Sequence, residues 1–156
     1  MVRSKGPGKH ARVREAPAHE YGAKEAPRAL TGVILDTDIL IEALRRREPV
    51  VGQLRALMVA GTHLYTTPVT LAEIVAGMRP GEAAATENYL ARLGEVRLDA
   101  AIGRRAGAYL AHYARSHRLE LPDALIAAAA VLSGLPLWTR NRRDYPMPDI
   151  TLYQPG

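Results

Sequence analysis

The 156-residue chain contains no cysteine. That absence removes disulfide staples, thiolate metal sites and cysteine nucleophiles together, and it accords with a reducing, cytoplasmic setting. Long apolar runs are also missing. The longest, Ala124 to Leu132, stops at Ser133-Gly134, far short of the roughly 20 residues that span a bilayer, so no membrane association is expected. Lysine is absent after Lys24, and every later fixed cation is therefore an arginine. A response-regulator receiver needs a lysine late in the chain, and a haloacid-dehalogenase-type phosphatase usually does. The latter also wants Thr or Val where Leu40 stands, although Asp36-x-Asp38 would suit it. Both are poor fits. A phosphate-binding loop of the Gly-x-x-x-x-Gly-Lys-Ser/Thr kind is not present either, which excludes that class of nucleotide binder.

The net charge of +5 is unevenly spread. Residues 1–30 hold seven Lys or Arg against three Glu, whereas residues 31–156 hold fourteen Arg against thirteen acids. The basic character is thus largely a property of the first 30 residues. That stretch is rich in Gly, Pro, Ala and charge and lacks apolar periodicity, so it cannot bury enough surface to offset the entropy of ordering. It is expected to be a flexible basic extension, either passive or attracting nucleic acid. Residues 31–156 are enough for one domain with a real core.

From Thr31 onward the pattern becomes regular. A short apolar strand, Gly32 to Leu35, precedes a helix through Ile39, Leu40 and Leu44 that ends before Pro49. A second helix is expected over about 50–60, a strand at Leu64-Tyr65, and a helix opening at Pro68 with Leu71, Ile74, Val75 and Met78 as its apolar stripe. A fourth helix covers roughly 82–93, and Val96 to Leu98 reads as a brief strand. Asp99 can cap a long helix to about Ser116, with Ile102, Ala106, Tyr109, Leu110 and Tyr113 on one face. The Ala-rich helix from Pro122 to Leu132 is apolar nearly all round and should be buried, with Gly134 as its stop. Leu135 to Thr139 and Ile150 to Tyr153 read as final strands. Strands alternating with helices imply an α/β three-layer sandwich around a mainly parallel sheet of four to five strands.

Against this pattern four residues stand out: Asp36, Glu73, Asp123 and Asn141. Each lies where a strand ends or a helix begins, and open α/β sheets place ligands at the carboxyl edge of their strands. Three acids and an amide offer the hard oxygen donors that Mg²⁺ prefers. Each also has a plainer reading. Asp36 suits a helix N-cap, Glu73 an exposed helix position, Asp123 a favourable place in a helix dipole, and Asn141 a turn. Asp38, Asp144 and Thr139 are candidates for supporting or extra polar groups, and Thr37 for a hydrogen bond to a ligand carboxylate. Glu42 either supports the site or pairs with Arg45 or Arg46. Arg140, Arg142 and Arg143 are candidates for phosphate contact, whereas Arg45, Arg46 and Arg47 equally suit the end of the first helix. His63, His112 and His117 show no ligand spacing. Clustered carboxylates without a cation repel, so at least one should have a raised pKa.

Three blocks carry a resemblance: DTDILIEAL, TPVTLAEIVAG and LPDALIAAAAVLSGLPLWTRNRRDY. In this order they look like the PIN domain, specifically the VapC-type toxin ribonucleases, over about Gly32 to Tyr153 and nearly everything outside the N-terminal extension. The resemblance implies a Mg²⁺- or Mn²⁺-dependent endoribonuclease acting on RNA, commonly a homodimer and held inactive by a cognate antitoxin. It implies Asp36, Glu73 and Asp123 as the acidic core, with Asn141 at the variable fourth position. Two departures bear on the number of metal ions: position 38, usually Asn, is Asp, and the fourth position is Asn, with Asp144 a substitute three residues on. The competing reading is a catalytically silent member of the same fold that binds RNA or sequesters an antitoxin. The intact Asp36, Glu73 and Asp123 weigh against it, because clustered carboxylates repel phosphate.

Overall fold

The computed structural model describes residues 31–156, and the extension expected at residues 1–30 lies outside the described residues. Four strands form one parallel sheet in the order β3-β2-β1-β4. They are β1 (Val33–Leu35), β2 (Leu64–Thr66), β3 (Gly94–Glu95) and β4 (Leu137–Trp138). β1 pairs with β2 through Val33 opposite Leu64, and with β4 through Leu35 opposite Trp138. The chain adds β2 and β3 on one side of β1 and then crosses to add β4 on the other. The resulting switch point lies between β1 and β4, where such sheets open a crevice at their carboxyl ends.

Alternation along β1 divides the core in two. Val33 and Leu35 face helices α1 (Thr37–Leu44), α2 (Val50–Val59), α3 (Pro68–Ala76) and α4 (Ala83–Leu90), where Ile39, Leu40, Leu54, Ile74 and Leu90 complete one cluster. Ile34 points the other way, into a cluster built on α5 (Ala100–His117) and α6 (Leu121–Ser133). The three-layer sandwich expected from the sequence is therefore present. In α6, Ala124, Ala127, Ala128, Ala129 and Ala130 are all buried, and their small side chains let the helix lie close to both the sheet and α5. Gly134 ends α6 in the left-handed conformation at φ +69°, and Asp99 caps α5 by accepting from the Ile102 backbone N–H at 3.0 Å.

Three expectations need correction. The third strand is Gly94–Glu95, two residues before the Val96 to Leu98 segment read from its apolar residues. Gly94 sits opposite Tyr65, and a Cβ there would lie 2.6 Å from the Tyr65 ring, so backbone fit rather than side-chain pattern sets the pairing. The segment from Ile150 to Tyr153 makes a single parallel bridge, Leu152 to Leu137, instead of a full strand. In α3 the buried face is Thr70 and Ile74, while Val75 is exposed, so the helix is rotated relative to the expected Leu71/Ile74/Val75/Met78 stripe. Thr67 and Thr70 satisfy each other locally, because Thr67 Oγ1 accepts from the Thr70 N–H at 3.2 Å, and this lets a polar face be buried.

The entry to β1 depends on Gly32, at φ +153°, where a Cβ would lie 2.2 Å from the His63 carbonyl oxygen that pairs with Val33 N–H. Gly32→Ala should therefore lower unfolding free energy by about 1–3 kcal/mol, as expected for a strained backbone position. Urea denaturation of the two proteins checks this, and equal midpoints would contradict it.

Candidate active site

β1 ends at Leu35, and the next residue, Asp36, leaves the sheet and caps α1. Its Oδ1 accepts from Thr37 N–H at 2.8 Å and its Oδ2 accepts from the Tyr145 phenol at 2.9 Å. The carboxylate is 7% exposed. The next strand, β2, leads through Thr67 into α3, which carries Glu73 one helical turn beyond its buried Thr70. Glu73 Oε2 accepts from the Thr37 hydroxyl, so the first turn of α1 contacts two of the expected acids. α6 descends antiparallel to the strands before turning into β4, which puts its N-terminal turn, and Asp123 in it, at the same carboxyl edge. β4 ends at Trp138, followed by Thr139, whose hydroxyl oxygen accepts from Asn141 N–H at 3.0 Å.

The electrostatics show how close these acids come. The Asp123 carboxyl is raised to about 6, first by burial and then by the charges of Asp36, Asp144, Glu73 and Glu120. Asp38 is raised as well, by burial and then by Asp36, against a lowering from the Arg140 N–H that it accepts at 2.8 Å. Tyr145 is held well above the usual phenol range by burial and by Asp36 and Asp123, so it stays protonated and donating. Asp36, Asp144, Glu73 and Glu120 thus all act on Asp123, which brings in Asp144 as the extra acid and adds Glu120. Asn141 is exposed, with no side-chain hydrogen bond at its turn. His112 and His117 instead pack edge-on against Tyr113 of α5.

The donors here are hard oxygens, the kind a divalent cation of the Mg²⁺ class takes. Asp38 Oδ1 is buried with no hydrogen-bond partner among the described residues, a costly state for an anionic oxygen that a cation would relieve. As they stand, however, no three acidic or histidine side chains among the described residues form a group that could hold a metal ion. The fit is one of donor chemistry and convergence. Asp36 and Glu73 are meanwhile occupied by hydroxyl and N–H donors.

The arginines divide into two sets. Glu42 pairs with Arg47 at 3.1 Å and Arg140 at 3.2 Å; of its two readings from the sequence, the pairing with Arg45 or Arg46 is not found, and the chain leaves α1 through Arg46 in the left-handed conformation at φ +54°. Arg140 is thus clasped by Glu42 through its guanidinium and by Asp38 through its N–H. Arg142 and Arg143 are exposed and have no carboxylate partner among the described residues. Two groups were not singled out from the sequence: Tyr145, whose phenol reaches Asp36, and the Glu42–Arg140 pair. In sequence Tyr145 appears only as the last aromatic of the RNRRDY block, and nothing local signals a bond across 109 residues.

A parallel α/β sheet with acids gathered at its switch-point edge defines a class of site suited to a hard cation and a phosphate-bearing ligand. The PIN domain family model matches residues 33–147, and the chain belongs to the PIN domain family. Ribonuclease VapC10 of Mycobacterium tuberculosis is 35% identical over 116 residues, covering 74% of this chain and 86% of the relative. Ribonuclease VapC19 of the same organism is 31% identical over 119 residues, covering 75% and 95%. Among solved structures, a toxin-antitoxin complex from Klebsiella pneumoniae contains a similar chain, with a TM-score of 0.63 and 26% identity over 80% of this chain and 98% of that one.

The raised Asp123 pKa carries a stability consequence. Because the folded value of about 6 lies above the ordinary 3.8, the folded state binds the proton more tightly. Stability contributed by the protonated form is present below about pH 4 and is lost as pH rises through 6. In EDTA, Asp123→Asn should therefore melt higher than the wild type at pH 7.5, with the difference shrinking toward pH 4. Thermal melts across that range check this, and a pH-independent difference would contradict it.

Proposed function

We propose that this chain is a metal-dependent endoribonuclease and the toxin of a toxin-antitoxin pair, cutting RNA phosphodiester bonds at the carboxyl edge of the sheet. The observation that carries the reading is the gathering of acids at this edge, where Thr37 bonds both Asp36 and Glu73 and the charges of Asp36, Asp144, Glu73 and Glu120 oppose ionisation of a half-buried Asp123, an arrangement that a binding surface for RNA alone would avoid. Names of the relatives support it: two are ribonucleases, and a chain of like fold is found in a toxin-antitoxin complex. The partners are accordingly an RNA substrate and an antitoxin; the homodimer rests on the family resemblance alone.

Asp36, Glu73 and Asp123 would hold Mg²⁺ or Mn²⁺, with Asn141 as the fourth donor and Asp38, Asp144 and Thr139 around them. When bound, the cation supplies charge neutralisation at the phosphate and acidifies water for attack on phosphorus. Thr37 orients Glu73, and its N–H, with the Tyr145 phenol, orients Asp36. Thr139 holds the Asn141 backbone at the mouth of the site. Arg142 and Arg143, both exposed, would bind phosphates of the RNA. Arg140 contributes mainly by holding its own loop against α1, since Glu42 already neutralises its charge.

Purified protein incubated with a structured RNA should cut it in Mg²⁺ or Mn²⁺ and not in EDTA. Asp36→Asn and Asp123→Asn should each lose more than about a hundredfold in rate, since outer partners of a metal site already account for roughly 10–100-fold. No cutting by the wild type, and no metal-induced rise in Tm, would favour the silent binding module. In a separate binding series, Arg142→Ala and Arg143→Ala should each flatten the dependence of log K on log salt by about 0.7. Slopes equal to the wild type would remove those residues from the RNA interface.

A further inference from the structure

We infer that Tyr145 is a positioning residue of the acidic edge, and that its phenol sets the orientation of the Asp36 carboxylate and thereby the affinity of the site for a divalent cation. This rests on the function proposed above. The geometry is specific. Tyr145 is 4% exposed, and its ring is part of the cluster formed with α5 and α6. From that anchorage the hydroxyl donates to Asp36 Oδ2 at 2.9 Å, while Thr37 N–H donates to Oδ1 at 2.8 Å. Each carboxylate oxygen thus has one donor, one from the body of the domain and one from α1. The terminal torsion of an aspartate is otherwise broad, so two opposed donors fix the carboxyl plane and direct the remaining lone pairs.

The placement of the phenol is itself controlled by the loop that carries the other candidate donors. Tyr145 N–H donates to the Arg142 carbonyl at 3.3 Å, and Asp144 N–H to the Asn141 carbonyl at 3.0 Å, closing the short turn Arg142–Asp144. At the start of the same loop, Asp38 Oδ2 accepts from Arg140 N–H at 2.8 Å. The segment from Arg140 to Tyr145 is therefore fastened at both ends to carboxylates at the start of α1. Asn141 and Asp144 lie between those fastenings. A core tyrosine with no role at the site would only need its ring volume, and phenylalanine would supply that. The hydroxyl is what distinguishes the two.

Full-length Tyr145→Phe tests the inference by its response to metal. Mn²⁺ and Mg²⁺ titrations followed by Tm should show an apparent metal affinity about tenfold weaker than the wild type, the lower end of the range for outer partners of a metal site. RNA cleavage should fall by a similar factor at limiting metal and recover at saturating metal. In the Asp36→Asn background the same change should have no further effect on metal affinity. Tyr145→Phe that melts lower in EDTA but binds the cation as the wild type does would overturn the inference and leave Tyr145 a packing residue. A second measurement covers failure of that variant to fold: with ¹³C-labelled tyrosine in the wild type, Mg²⁺ should shift the Tyr145 ring resonance, and an unmoved resonance in metal-bound protein would overturn the inference. A wild type that neither binds metal nor cuts RNA would overturn the proposed function and this inference with it.

Discussion

A carboxylate removed from water must be given hydrogen-bond donors or a cation, and the carboxyl edge of this sheet is organised around that demand at Asp36. Its position is fixed by the central strand, since β1 is hydrogen-bonded on both sides and Leu35 before it is fully buried. The neighbouring elements then supply what the carboxylate needs: α1 its first N–H, and the last loop a phenol. Thr37, the residue that gives the N–H, also gives its hydroxyl to Glu73 and so connects α1 to α3. The two faces of the core, otherwise separated by the sheet, meet at this one edge.

The same arrangement leaves a deficit of positive charge. The Asp123 carboxyl is raised to about 6, first by its burial and then by the charges of Asp36, Asp144, Glu73 and Glu120. A fold selected only for stability has no reason to turn a buried Asp36 and a half-buried Asp123 toward further acids while placing no lysine in the described residues. Perturbed ionisation at a sheet switch point is a signature of function with a physical cause. The repulsion that weakens the metal-free protein is the attraction a divalent cation would meet. Burial and neighbouring charge therefore disfavour the ionised form at Asp123, whereas at Asp36 the local hydrogen bonds support it.

Much of this was legible in the sequence because its signals are local. Pro68, Asp99, Pro122 and Gly134 mark helix ends by backbone chemistry, and α1, α5 and α6 follow their apolar periodicity. Asp36 and Asp123 could be placed at one edge because strand and helix polarity fix which end each occupies. What the sequence concealed is non-local. The β3 register is set by contact between Gly94 and the Tyr65 ring, and the buried face of α3 by a threonine pair that satisfies itself. One partner of Glu42, Arg140, lies in the last loop. Tyr145 reaches Asp36 only after the whole sheet has formed. Asn141 and Asp144 remained alternatives because they share one turn; the electrostatics draw Asp144 toward Asp123, whereas the Asn141 side chain makes no hydrogen bond at the turn.

The division of the arginines follows from the same constraint. An acidic site for a polyanion needs cations near enough to attract the ligand but held off the carboxylates, or they would fill the place of the metal. Glu42 holds the Arg140 guanidinium at 3.2 Å, while Asp38 accepts from its N–H at 2.8 Å. Arg142 follows in the turn, with its guanidinium reaching the Gln154 amide oxygen at 2.6 Å once that amide is oriented to accept. A neutral partner leaves its charge uncompensated. The clasp on Arg140 and the phenol on Asp36 share one logic: each joins the last loop to a carboxylate at the start of α1.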